Sequence, residues 1–185
     1  MHTLAALFLL FASLQSAWQE PSSQSNTNIV LRDRDYAFSI SLPPKWALDT
    51  TDRALRAAAK AVLYSTEEGK GDWRIVILIA TKRLEGKNTL ANLVSYWAKF
   101  DSSQNGGTVQ TDGPVLFTRD KKQVIVKSSK RGAARSSLAY IDDLNVVVGV
   151  SQWPIDEALY QTAFDVFKHV LESYSAVIVD EDKKK

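Results

Sequence analysis

The stretch YAFSISLPPKW (residues 36–46) alternates and then stops. Tyr36, Phe38 and Ile40 take turns with Ala37, Ser39 and Ser41, a period of two that predicts a strand with one buried face. Pro43 and Pro44 bring no amide donors, so the ladder has to end there. Trp46 follows as a large apolar anchor whose ring can cover an open end of the core.

Upstream, LAALFLLFASL (residues 4–14) is an unbroken apolar run. As a helix it would span roughly 16 Å at 1.5 Å per residue, against about 30 Å for a bilayer core. It reads as the apolar region of a signal peptide, residues 1–17. Two details depart from that pattern. No Lys or Arg precedes the run, and neither Ser16 nor Ala17 gives a small-x-small cleavage site. An apolar helix packed on the domain and an uncleaved anchor stay open as alternatives. Residues 18–28 form a polar spacer, and residues 29–175 are expected to make one domain. Residues 176–185 are a charged tail ending DEDKKK, where the charges cancel.

Downstream, residues 51–61 suit a turn or short helix, then a strand near residues 60–65, with EEGKGD as the next turn. WRIVILIA (residues 73–80) is apolar on both faces from Ile75 onward, which predicts a central strand covered on both sides by helices. Leu90, Leu93, Val94, Trp97 and Ala98 carry helical spacing over residues 88–100, with Asn88 as N-cap. Strands are then expected at 115–118, 123–128, 135–141 and 146–152, joined by turns short enough to make neighbours antiparallel. Residues 156–174 close the chain as a helix whose stripe is Leu159, Ala163, Val166, Phe167, Val170, Leu171 and Tyr174.

In a chain of 185 residues, 45% hydrophobic and 24% charged, one domain can bury a sizeable core. With 23 Lys and Arg against 21 Asp and Glu, the net charge of +2 gives no basic footprint for nucleic acid. The absence of cysteine excludes disulfides, thiolate metal sites, a cysteine nucleophile and a cysteine-linked lipid.

Three stretches, in this order of elements, carry a resemblance: YAFSISLPPKW, NTLANLVSYW opening the middle helix, and FKHVLESY ending the last one. Over roughly residues 29–174 the chain resembles the PsbP/Mog1-like superfamily, including DcrB-type bacterial exported domains. The resemblance implies an α+β fold, an antiparallel β-sheet with helices packed on its faces (the α/β/α sandwich of that superfamily). It also implies non-catalytic work: PsbP proteins dock on photosystem II, Mog1 binds a small GTPase, and related bacterial domains act as chaperones for toxin effectors. Its members share no binding surface, so no functional residue carries over. Lipid-anchored members have a cysteine at the processing site and this chain has none, which favours a soluble periplasmic or secreted protein.

Chemistry-bearing residues are few. Asp165, His169 and Glu172 share one face of the last helix at a spacing that could hold a metal, although charge pairing on a helix surface explains them equally. Ser173 and Asp165 near His169 would be the makings of a triad, but on one exposed helix face they shelter no pocket. Asp142 and Asp143 read as turn residues rather than a proton-sharing pair. No nucleophile elbow, phosphate loop or zinc-protease motif occurs. Trp46, Trp73, Trp97 and Trp153 read as core, with ligand stacking as the other reading.

The most asymmetric feature is a basic hairpin. Lys121, Lys122, Lys127, Lys130, Arg131 and Arg135 lie together with Asp120 as the sole acid in that stretch. They are the candidate binding residues for an acidic protein or an anionic envelope component. A lysine-rich edge that resists strand pairing is the plainer explanation. The expected protein is therefore an exported, non-enzymatic binding module without catalytic residues, metal or cofactor, with no nucleic acid partner and no transmembrane helix in its mature domain. A small hydrolase or metal-dependent enzyme, and a chaperone-like or immunity-type binder, are the alternatives.

Overall fold

A computed structural model describes residues 26–33, 36–51, 60–67, 75–86, 88–104, 109–143, 145–154 and 157–177. The expected turn or helix after Thr51, residues 68–72 of the EEGKGD turn, Trp73, the leader and residues 178–185 of the charged end lie outside the described residues.

Two antiparallel sheets form, and the quoted stretch connects them. β1 (Thr27–Asp33), β2 (Tyr36–Leu42) and β11 (Ser175–Val177) make a three-stranded sheet in the order β1-β2-β11. β2 is buried along almost all of its length, Ala37 and Ser41 included, because the remainder of the molecule closes over both of its faces. At Pro43 the ladder stops, as the missing amides require. Lys45 takes a positive φ of 68°, and the Trp46 amide donates to the Pro43 carbonyl at 3.3 Å. The chain leaves this turn in a new direction and enters the second sheet as β3 (Trp46–Asp49), a strand absent from the sequence reading. Thus the proline corner passes the chain between sheets, and Trp46 packs half-buried against the core beside it.

The second sheet contains eight strands, running β3, β4 (Ala61–Ser65), β5 (Ile75–Arg83), β10 (Val146–Pro154), β9 (Ala134–Asp143), β8 (Gln123–Arg131) and β6 (Val109–Asp112). β7 (Leu116–Phe117) pairs with β8 off this path. β5 is interior to the sheet, as its apolar run predicts, but its faces differ. Ile75, Ile77 and Ile79 are buried, whereas Val76 and Leu78 are half-buried around Val62.

α1 (Leu90–Gln104) follows β5 and lies along β9. Its N-cap is Thr89 rather than Asn88: the Thr89 hydroxyl accepts from the Asn92 amide at 3.2 Å. The stripe of Leu90, Leu93, Val94 and Ala98 is half-buried, and Tyr96 and Trp97 are exposed. α2 (Tyr160–Ser173), preceded by a 3₁₀ turn at Glu157–Leu159, is the better seated helix. Its stripe of Ala163, Val166, Phe167, Val170 and Leu171 is buried against β2, β5, β9 and β10, so the core lies between the two sheets and this helix. The result is the α+β architecture of antiparallel sheets with two helices against them that the element order predicts.

Candidate functional site

The β8–β9 hairpin does not keep its basic residues together. A strand rises about 3.3 Å per residue, so the length of β8 separates its two ends by roughly 27 Å. Lys121 and Lys122 precede β8, while Lys130 and Arg131 end it beside Arg135 of β9. Screening acts over about 8 Å at physiological ionic strength, so the two ends do not act as one charged patch.

Acids from other strands also reach this hairpin. Lys122 forms an ion pair with Asp143, and Lys127 pairs with Asp112 across β6 and β8. The Arg135 guanidinium meets Glu157 at 3.3 Å and stacks 4.3 Å above the Tyr160 ring. These partners come from 15 to 22 residues away in sequence, which is why a reading confined to the hairpin sees Asp120 alone. Lys121 and Lys130 are exposed, and the Arg131 side chain lies outside what the structure describes.

One polar cluster is enclosed. Asp143 ends β9 on the same parity as Ala139 and Ile141 and is therefore drawn inward, with only 1% of its surface exposed. This corrects the turn-residue reading of Asp143; Asp142, on the opposite parity, is exposed. The Tyr174 hydroxyl donates to Asp143 Oδ2 at 2.9 Å, and the Tyr36 hydroxyl donates to the same oxygen at 3.3 Å. The two hydroxyls are also within bonding reach of each other, so the single proton of Tyr36 is shared between Asp143 and Tyr174, and Lys122 Nζ donates to Asp143 Oδ1. Burial pushes both phenols well above the usual tyrosine range, with Asp143 adding to the rise. Tyr36 opens β2 and Tyr174 caps α2, whereas Asp143 ends β9 of the larger sheet and Lys122 immediately precedes β8. The cluster therefore joins the two sheets.

His169 makes neither of the arrangements its sequence neighbours suggested. Its Nε2 lies 3.4 Å from Oγ of Ser41 on β2. Asp165 accepts from Gln161 Nε2 at 2.8 Å, and Glu172 faces Lys168 at 3.6 Å. Ser173 Oγ donates to the Val170 carbonyl and accepts from the Ser41 amide. These bonds tie α2 to β2, and Ser41 is 8% exposed. Among the described residues, no group of three or more His, Asp or Glu side chains is placed to hold a metal ion. Trp46 packs on the core; Trp97 is exposed; Trp73 and the Trp153 side chain lie outside the described residues.

A feature absent from the sequence reading is the outward face of β7. Leu116 is buried, so Val115 and Phe117 on either side of it point outward, at 67% and 51% exposure. With Arg119, Lys121 and Glu172 they line a shallow groove. The strand itself is expected at residues 115–118 and forms as β7, but a period of two does not say which of its faces the rest of the molecule leaves open. Among the described residues no helix is long and apolar enough to cross a membrane.

No protein-family model matches the chain, and no curated protein sequence does. Solved structures match it in fold. Cyanobacterial PsbP (CyanoP) from Synechocystis sp. PCC 6803 aligns over 88% of this chain and 99% of its own, with a TM-score of 0.57 and 11% identity. LpqN of Mycobacterium tuberculosis, involved in cell envelope biogenesis, aligns over 83% of this chain and 91% of its own, with a TM-score of 0.56 and 13% identity. The chain thus has the PsbP/Mog1-like fold that the sequence resemblance implies.

Proposed function

We propose that this chain is a non-enzymatic binding module that works outside the cytoplasm, in the periplasm or as a secreted protein, and docks on a protein or a component of the cell envelope. The observation that carries this reading is where the convergent titratable groups lie. Asp143, Tyr36 and Tyr174 spend their polar atoms on one another inside the molecule, where they join the sheets, and half-buried Lys122 closes the cluster on Asp143. A centre for acid–base or nucleophilic chemistry needs such groups open to a substrate. The sole histidine outside the leader is likewise engaged in a contact between α2 and β2.

The fold supports the same reading. One neighbour in structure is a protein involved in cell envelope biogenesis, and PsbP is a docking protein in the resemblance read from the sequence. The apolar run before the domain supports export.

Photocrosslinking in the native cell tests the reading. A crosslinking residue is placed in turn at Phe117, Lys130 and Tyr96, all exposed or on exposed segments. One discrete envelope adduct that recurs at neighbouring positions is the expected result. Adducts confined to cytosolic proteins, or none from any position together with turnover of a small molecule by the purified chain, would overturn it.

A further inference from the structure

We propose that the outward face of β7 docks on an anionic phospholipid surface; this rests on the envelope-facing reading above and names the chemistry of the partner. The segment is tied down on both sides of its apolar residues. The Gly113 amide donates to the Val126 carbonyl at 2.9 Å, the Thr118 amide donates to the Lys122 carbonyl at 2.9 Å, and Leu116 is anchored in the core. Val115 and Phe117 are therefore presented to solvent by the fold itself, and they stand side by side on one short edge.

The charges around them sort into paired and free. Asp120 spends both carboxylate oxygens on β11, accepting from Ser175 Oγ at 2.8 Å and from the Ala176 amide at 2.9 Å. Glu172, which also lines the groove, is paired with Lys168. Lys122 is committed inward to Asp143. Arg119 and Lys121 line the same groove as the two apolar side chains, and no acid among the described residues pairs with either. Two apolar side chains that can enter the boundary between headgroups and acyl chains, flanked by two free cations, are complementary to anionic lipid. A surface contact of this kind needs no membrane-spanning helix.

The test is co-sedimentation of the protein as isolated from its own cell with phosphatidylcholine vesicles, with and without phosphatidylglycerol. Binding is expected only where phosphatidylglycerol is present, and it should weaken as salt is raised. Combined Arg119→Glu and Lys121→Glu should lower it by roughly thirty-fold or more, from the contribution typical of two surface cations. Phe117→Ser should lower it on the same vesicles, and Lys130→Glu at the distant end of β8 should leave it unchanged. Circular dichroism of each variant must match the parent. Equal binding to neutral vesicles, or an equal loss from Lys130→Glu, overturns the proposal. So does absence of vesicle binding by a chain that still crosslinks from Phe117 to a protein; that outcome assigns the groove to a polypeptide and leaves the broader binding function standing.

Discussion

Tyr174, the residue that ends α2, places its hydroxyl 2.9 Å from a carboxylate oxygen of Asp143, the residue that ends β9. The two are 31 positions apart and both are buried. With Tyr36 and Lys122 they form the polar joint between the sheets, and its first consequences are for stability.

Tyr174→Phe removes a hydrogen bond to a buried carboxylate and is expected to cost about 1.5–3 kcal/mol, as bonds to charged groups do. Tyr36→Phe should cost less, because its bond to Asp143 is longer. Urea unfolding of both variants checks the order. The same joint should loosen in alkali. Burial holds both phenols above their ordinary value, so the folded chain keeps protons that the unfolded chain releases once the pH passes about 10. Stability from this source is complete below that pH and falls as the pH rises above it. Unfolding free energies measured between neutral and alkaline pH should show the fall in the parent and a shallower one in the double Phe variant.

Lys122 and Lys130 look alike in the sequence and should behave differently. Lys122→Glu sets a second carboxylate against buried Asp143 and is expected to cost about 3 kcal/mol or more, in the range for a broken buried pair. Lys130→Glu changes an exposed charge and should stay within about 0.5 kcal/mol. Equal melting temperatures for the two variants would show that Lys122 is a surface charge like its neighbours.

Phe167 is fully buried at the centre of the α2 stripe, in the core and against the tilted ring of Phe164 at 5.7 Å between centroids. Phe167→Ala should cost about 3–5 kcal/mol by opening a cavity. A loss below about 1 kcal/mol would contradict the packing described for this helix.

Much of this was legible because it depends on local periodicity. The alternation of β2, the turns of the β8–β9–β10 meander and the helical spacing of Ala163, Val166, Phe167 and Val170 each predict their element and its buried face. The misses are non-local. β3, β6 and β11 are three or four residues long and exist because a neighbour supplies their hydrogen bonds. The basic hairpin looked unneutralised because Asp112, Asp143 and Glu157 arrive from other elements. Asp143 was the one readable case, since its parity with Ala139 and Ile141 marks it as inward-facing.

Gly113 sits where the edge of the large sheet is interrupted between β6 and β7. A Cβ there would lie 2.5 Å from Cγ1 and 2.9 Å from Cβ of Val126, a branched side chain fixed in the core. Gly113→Ala should therefore destabilise by about 1–3 kcal/mol, as overpacking does. The double variant Gly113→Ala with Val126→Ala should recover part of that loss relative to Val126→Ala alone. Additive losses in a urea-unfolding cycle would place the strain elsewhere.

A domain of PsbP/Mog1-like fold that binds its partner outside the cytoplasm, as proposed, must leave the cytoplasm, and the N-terminus of the native protein in fractionated cells tests that step. The expected chain is found in an extracytoplasmic fraction and starts between Ala17 and Gln24, in or just before the polar spacer that follows the apolar run. An intact Met1 on a soluble cytosolic protein would contradict export and with it the proposed function.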